Sequence, residues 1–431
     1  MSASFRHGEW LIGLAVAFLG GCAKLPDAPP APPISDYRTF DMVPSLVRSD
    51  PQGGWSLLCR NTPVDRRNGA IRFMDAEGGA AGVLDLDALP RTFEGITFDR
   101  EELWYGDLAR AADGSIFLAG VGIETQRGAR AHVLVQHVSM AGVPLDAPYR
   151  RYLGADAEVV YNIDGQDQDL NGLPRTRALC ALAQDGSLFV AVRWETVTSA
   201  FVRVFRFPTA PGALSVSVDV PVSGPSARLL AMACSPDGTG LVVVTDEAEG
   251  NDRRTRVQGL SAMATGMGLA AGSTLPDLDL QPQQCQWAEG GYTLVGYAPL
   301  GIDGALAKPF IARFTSAAQA AVGYRLLGTI GPASRPVTAH AADVTGGDTR
   351  LMVQVHEASA LPPYFDGDLT SDLVRVHLDG ALAVTALTTI IPAQGLRAMD
   401  CLQRGDGTVI IGSQHPFLND AYIHAFHLVA D

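Results

Sequence analysis

The chain has 431 residues, a formal charge of −14 and 47% hydrophobic residues, enough to bury a full core and to exclude wholesale disorder. Such a charge repels phosphate backbones, and no basic run interleaved with aromatics appears, so a nucleic-acid surface is excluded too. With Gly 46 and Pro 27, the composition suits short strands joined by turns better than helices.

At the start, Arg6 and His7, partly offset by Glu9, precede an apolar or small run from Trp10 to Leu19. That run has the length of a signal-peptide core and falls short of the roughly 20 residues that span a bilayer. Leu19-Gly20-Gly21-Cys22 follows. These four residues, in this context, resemble the bacterial lipobox. The resemblance implies removal of residues 1–21 as a lipoprotein signal peptide and lipidation of Cys22; the alternative is an ordinary secretory signal with a chance cysteine. One acyl chain holds a protein marginally, whereas two or three make a stable anchor. Residues 22–35 then read as a tether. Pro26, Pro29, Pro30, Pro32 and Pro33 fix φ and keep it extended at roughly 3.1 Å per residue. Ala23 stands where an aspartate signals inner-membrane retention in enterobacterial lipoproteins, so the expected location is the cell envelope, at the outer membrane.

From residue 36 onward one pattern recurs: an alternating stretch, a tight Asp-Gly or Gly-Gly turn, then a short apolar strand. "LARAADGSIFLAG" at 108, "LCALAQDGSLFVAV" at 179, "LLAMACSPDGTGLVVV" at 229 and "MDCLQRGDGTVIIG" at 399 are the clearest copies. Weaker copies surround Gly54, Gly291 and Gly347; with Gly114, Gly186, Gly238 and Gly407 the turn glycines recur every 52–72 residues. Glycine supplies the φ > 0 that such turns need. A second strand–turn–strand pattern follows each copy, so every unit holds four strands, A to D. Repeated four-stranded units of this length predict a β-propeller. The last unit stops after "AYIHAFHLVAD", and an unclaimed strand, "DYRTFDM" at 36–42, precedes the first. If that N-terminal strand completes the last blade, residues 36–431 form a seven-bladed ring without an open edge. The pattern resembles secreted bacterial propeller repeats through Asp113-Gly114-Ser115-Ile116-Phe117-Leu118-Ala119-Gly120 and Phe310-Ile311-Ala312-Arg313-Phe314. That likeness implies architecture and no particular role. A pair of β-sandwiches is the rival, and it leaves the matching incomplete ends unexplained.

Strand order sorts the loops. A–B and C–D turns leave one face and are short. B–C and D–A loops leave the other and include Arg91–Tyr105, Gly154–Arg177, Thr245–Arg256, Tyr297–Pro309 and His356–Asp372. A working surface belongs on this second face, since binding residues concentrate on loops held by a rigid scaffold. In "NIDGQDQDLNGLP", Asp167, Asp169 and Asn171 alternate ahead of Gly172 as in the front half of a calcium loop. Leu173 would offer a carbonyl and Asp164 a further oxygen. The twelfth position is Ala178, so the bidentate glutamate is missing, and calcium, the one cofactor suggested, would bind weakly. A solvated acidic loop held by Asx-turns is the competing view. "YFDGDLTSD" at Tyr364 is a second acidic loop with a lesser claim.

No H-E-x-x-H, G-x-S-x-G, phosphate-binding glycine loop or C-x-x-C occurs. His377, His424 and His427 fall on C strands, His340 begins an A strand, and His356 and His415 lie on the loop face. Beyond Cys22, Cys180, Cys234, Cys285 and Cys401 recur on inner strands and read as buried packing thiols; Cys59 with Cys401 is the pair most able to meet as a disulfide, across the ring closure. Two functions follow. One is a monomeric, lipid-anchored propeller that binds or scaffolds a protein or glycan without catalysis. The other is a propeller hydrolase or lyase acting on glycans from a site near the axis.

Overall fold

The computed structural model describes residues 34–427 apart from 40–41, 52, 61–66, 77–78, 125–129, 154–176, 196–198, 208–214, 225, 264–265, 300–305, 317–320, 329, 331–334, 357–370, 392–396, 404–407 and 415–420. For 34–39, 43, 321–322 and 391–427 it describes the backbone alone. The described residues contain no α-helix, only a 3-10 turn at Arg100–Glu102, and no helix long and apolar enough to cross a membrane.

Alternating apolar positions and glycine-bearing turns fold into a β-propeller arrangement of four-stranded antiparallel sheets. Six blades are each a continuous stretch of chain. Blade 1 takes Val43–Ser49, Trp55–Arg60, Asn68–Met74 and Ala80–Asp85; blade 2 takes Leu103–Arg110, Ile116–Glu124, Arg130–Val138 and Tyr149–Tyr152. Blade 3 is Arg177–Leu182, Leu188–Glu195, Ala200–Phe207 and Val216–Val220; blade 4 is Arg228–Cys234, Gly240–Glu249, Asp252–Met263 and Gly266–Leu278. Blade 5 is Gln281–Ala288, Gly291–Ala298, Lys308–Thr315 and Ala321–Leu326, and blade 6 is Val337–Thr345, Asp348–Val355, Asp372–Leu378 and Val384–Ile391. The remaining four-stranded sheet is composite: Arg397–Gln403, Thr408–Gln414 and Ala421–His427 are joined by the N-terminal strand Ile34–Thr39. That strand pairs antiparallel with Ala421–His427, Tyr37 opposite Ile423. It begins two residues earlier than the sequence suggests.

The first strand of each sheet is innermost, and these strands neighbour one another in chain order. Val43–Ser49 lies against both Leu103–Arg110 and Arg397–Gln403, so the succession returns on itself. The core sits between blades, because each sheet has two apolar faces to cover. Val121 and Val133 of blade 2 share a cluster with Val190 and Val192 of blade 3, and Leu294 and Phe310 of blade 5 pack with Val242 and Val244 of blade 4.

Inner strands carry a recurring irregularity. The pairing shifts by one residue at Ser45, Gly106, Leu230, Gln283, His340 and Met399. A bulge re-aims the residue that follows it. Asp107, after Gly106, turns toward blade 3 and accepts from the Cys180 backbone N–H at 2.9 Å while taking both Nε and Nη2 of Arg48 in blade 1 at 3.1 Å. Gln284, after Gln283, accepts from the Ala342 N–H of blade 6 at 2.8 Å. Each bond ties one inner strand to the next.

Turn geometry matches the repeat in part. Gly114, Gly186, Gly238 and Gly347 adopt φ of +85°, +84°, +66° and +85°. In two of the three weaker copies the turn glycine is the preceding one, Gly53 and Gly290. Gly54 and Gly291 stand in extended backbone, where a Cβ would strike the carbonyl oxygens of Met74 and Phe314.

Candidate functional site

The two faces of the ring are built differently. On the short-turn face, Asp113 Oδ1 accepts from the Ser115 N–H at 2.9 Å and from its hydroxyl at 2.6 Å. Asp185 repeats both bonds with Ser187, and Asp237 with Thr239. These bonds hold the Asp113 and Asp237 carboxyls below the usual carboxylate range.

One of these turns brings together Ser115, His137 and Asp146. His137 Nε2 lies 2.8 Å from the Ser115 hydroxyl, and Nδ1 lies 2.6 Å from Asp146 Oδ2. Nucleophilic catalysis would use the same three groups in the same order. Blade 3 explains the arrangement otherwise. His137 pairs across the sheet with Phe117, and Arg206 pairs with Phe189 in the equivalent register. Arg206 donates from Nη2 to the Ser187 hydroxyl at 2.8 Å and lies over Phe189; His137 stacks on Phe117 with ring centroids 4.1 Å apart. Arginine can only donate. The slot therefore holds a donor that clamps the turn serine, whose single hydroxyl proton goes to the aspartate.

The loop face holds a pocket. It lies where blade 1 meets blade 2, lined by Arg67, Asn68, Leu86, Asp87, Arg91 and Arg100 above Leu103 and Tyr105; its open space, including that shared with solvent, is ≈ 370 Å³. The walls are braced. Asn68 donates to the Tyr105 carbonyl at 2.9 Å and accepts from the Ser45 hydroxyl at 2.6 Å. The Tyr105 hydroxyl donates to Gln136 Oε1, whose amide in turn donates to the Pro90 carbonyl. Burial pushes the Tyr105 phenol far above its ordinary range, so it stays protonated. Arg100 is held by Asp87, its Nε donating at 3.0 Å, and Arg67 donates to the Arg100 carbonyl. Arg91 is exposed and faces the pocket.

The Arg91–Tyr105 excursion forms part of this wall and is folded. Thr92–Phe93 and Ile96–Thr97 make a hairpin around Glu94 and Gly95, at φ of 45° and 81°. Phe93 and Phe98 are fully buried, edge to face at 5.9 Å. Thr245–Arg256 is a correction to the loop assignment. The second and third strands of blade 4 stay paired out to Glu249 opposite Asp252, turning on Gly250 at φ 67°. Opposite charges on the two arms account for it: Arg253 meets the fully buried Asp246 at 2.6 Å, and Arg254 meets Glu249 at 2.6 Å. Asp246 also binds Arg228.

Cys22, Asp164, Asp167, Asp169, Asn171 and Leu173 lie outside the described residues, as do most of Gly154–Arg177 and His356–Asp372 and the middle of Tyr297–Pro309. Among the described residues no three His, Cys, Asp or Glu side chains converge as metal ligands. Cys59 is a buried free thiol, so no bridge to Cys401 is formed. It packs with Val47, Trp55, Leu57 and Met74, and its Sγ turns to the Leu57 carbonyl of its own strand at 3.5 Å. Burial pushes the Cys59, Cys234 and Cys285 thiols up to about 12 and raises that of Cys180 as well, which keeps all four protonated and unreactive. His340 occupies the bulge of its inner strand, and the Thr338 hydroxyl lies 2.9 Å from its Nε2 and 2.8 Å from that of His356. Burial, and secondarily His356, pushes His340 down to about 3. His377 is half-buried on a third strand.

No family model and no curated protein matches the chain. Among solved structures, hydrazine synthase of Kuenenia stuttgartiensis is 12% identical, with a TM-score of 0.48 over 95% of this chain and 99% of that one. An ulvan lyase, a polysaccharide lyase, is 10% identical with a TM-score of 0.46 over 90% and 95%. Drosophila plexin A, solved with semaphorin 1b, is 8% identical with a TM-score of 0.47 over 92% and 87%. These are distant likenesses of fold, and no functional argument rests on them.

Proposed function

We propose that this chain is a lipid-anchored protein of a bacterial envelope, at the outer membrane, whose propeller is a non-catalytic binding or scaffold module for a protein or glycan. In this reading the composite sheet is a seventh blade that clasps the ring, and the B–C and D–A loop face meets the partner. The observation that carries it is the braced, arginine-lined pocket on that face, formed by loops of two blades held by the inner-strand bonds. Anchoring rests on Leu19-Gly20-Gly21-Cys22. Mass spectrometry of the mature N-terminus should find acylated Cys22, and Cys22→Ser should release the protein from membranes. Crosslinked pull-down from intact envelopes tests the binding role: a partner whose crosslinks fall on the loop face supports it, and crosslinks confined to the short-turn face contradict it.

The hydrolase reading has one observation in its favour, the Ser115–His137–Asp146 alignment. The arginine that fills the same slot in blade 3 counts against it.

A further inference from the structure

We infer that the short-turn face of the ring is a membrane-docking face, seated on the zwitterionic headgroups of the leaflet that holds the lipid of Cys22 and touching it through Met140, Val143, Leu145 and Met263. This orientation, which rests on the lipid anchoring proposed above, directs the loop face away from the membrane.

Strand register fixes where the anchor joins the ring. Ile34 pairs with Phe426, and Phe426 pairs with Val409, near the start of Thr408–Gln414. Second strands begin at the short-turn face, so Ile34–Thr39 begins there too, and residues 22–33 enter from that side. At about 3.1 Å per residue, those positions reach roughly 37 Å. A leaflet on the loop side would turn the chain back along a strand, roughly 26 Å for about eight residues, against the five prolines it holds. The same end of the ring presents apolar tips. Met140, Val143 and Leu145 follow the third strand of blade 2 and Met263 ends that of blade 4, and they are between 39% and 69% exposed. Their turns are clamped. Ser139 donates its N–H to the Val143 carbonyl at 2.9 Å, and its hydroxyl accepts from the Val143 N–H at 3.2 Å. Arg206 of blade 3 donates to the Met263 carbonyl at 2.7 Å. Tips held this way have little ordering left to lose on contact. Near the loop end, by contrast, the exposed Tyr152 and Phe201 lie against rings of their own blades, His132 and Trp194. Blade 1 separates the composite sheet from blade 2, and blade 3 separates blade 2 from blade 4, so the tether and the two tips are spaced supports that define a plane. Asp113, Asp185 and Asp237 stand in turns of this face on an acidic chain, so an anionic leaflet repels it and a zwitterionic one accepts it.

The acylated full-length protein, reconstituted in phosphatidylcholine vesicles that carry a quencher at headgroup depth, tests the orientation. A fluorophore is attached at one position at a time, through Leu145→Cys or Met263→Cys on the short-turn face and Arg91→Cys or Asp252→Cys on the loop face, with the native cysteines other than Cys22 replaced by alanine. Labels at 145 and 263 should be quenched about threefold or more above those at 91 and 252, because tips seated among headgroups meet a quencher that the far face does not. Replacing part of the phosphatidylcholine with phosphatidylglycerol should narrow that difference. The two short-turn labels sit on separate turns, so if one variant fails to fold the other decides. Equal quenching at both faces, or stronger quenching at 91 and 252, overturns the orientation. Energy transfer between labelled copies without quenching by lipid assigns the tips to a second copy of the chain and overturns it as well. Protein that stays on the vesicles with both faces quenched alike keeps its anchor and loses the orientation. Protein that stays free of vesicles with Cys22 unmodified loses the anchor and the orientation together.

Discussion

The second strand of blade 4, Gly240–Glu249, begins on one face of the ring and ends on the other, and its two ends are stabilised in different ways. At the start, Asp237 receives the Thr239 N–H and hydroxyl, as Asp113 and Asp185 do with their serines. At the far end, Asp246 is fully buried between Arg228 and Arg253. Where every blade needs the same tight turn, local bonds recur and the sequence repeats. At the loop-face end the charged pairs join Arg228 and Arg253 to Asp246 across neighbouring strands of one blade and leave no periodic mark. The pocket lined by Arg67, Arg91 and Arg100 leaves none either.

The largest effects should therefore come from the buried charged anchors. Asp246→Asn leaves Arg228 and Arg253 without their buried counter-charge, and Asp107→Ala removes the bridge from Arg48 to the Cys180 N–H; each should cost about 3–5 kcal/mol in denaturant unfolding. A loss no greater than that of an exposed ion pair would erase the distinction between the faces. Next comes acid. His340 sits near 3 in the folded ring against an ordinary 6.5, so the unfolded chain takes up its proton first. Stability from this group is complete above pH 6.5 and is lost as pH falls toward 3, with a slope of at most about 1.4 kcal/mol per pH unit, the limit for one proton. His340→Gln should flatten that limb, read from melts between these pH values.

The repeated face should tolerate exchange. His137→Arg should keep the turn clamp that Arg206 makes in blade 3, whereas His137→Ala should cost about 1 kcal/mol. If His137→Arg is as damaging as His137→Ala, the two slots are not equivalent and the Ser115–His137–Asp146 alignment regains its catalytic reading. The smallest response should be that of the thiols: Cys59, Cys180, Cys234 and Cys285 should stay unlabelled by a maleimide at pH 8 until the chain unfolds.

How much of this was legible follows from the same contrast. Asp-Gly-Ser at 113 and 185 announces its turn because glycine alone enters φ > 0 freely, and the aspartate side chain caps the bend. Gly-Gly at 53 and 290 hides its register, since either residue satisfies the turn and only the approach of the Met74 or Phe314 carbonyl decides between them. Glu247-Ala248-Glu249 and Arg253-Arg254 read as a solvated loop because polarity suggests solvent; they form strands because the charges meet across the hairpin. The pocket had no local signal. Arg67 and Arg100 are 33 positions apart and come together only once blade 1 packs against blade 2.

The account depends most on the two ends of the chain sharing one sheet. Oxidation of a Tyr37→Cys, Ile423→Cys double variant, in a background with the native cysteines other than Cys22 replaced by alanine, measures this directly by mass spectrometry after proteolysis. A near-quantitative crosslink between positions 37 and 423 under native conditions, absent when the chain is oxidised unfolded, is the expected result. Free thiols at both positions in a folded protein would contradict it, and the ring with its loop face would have to be abandoned.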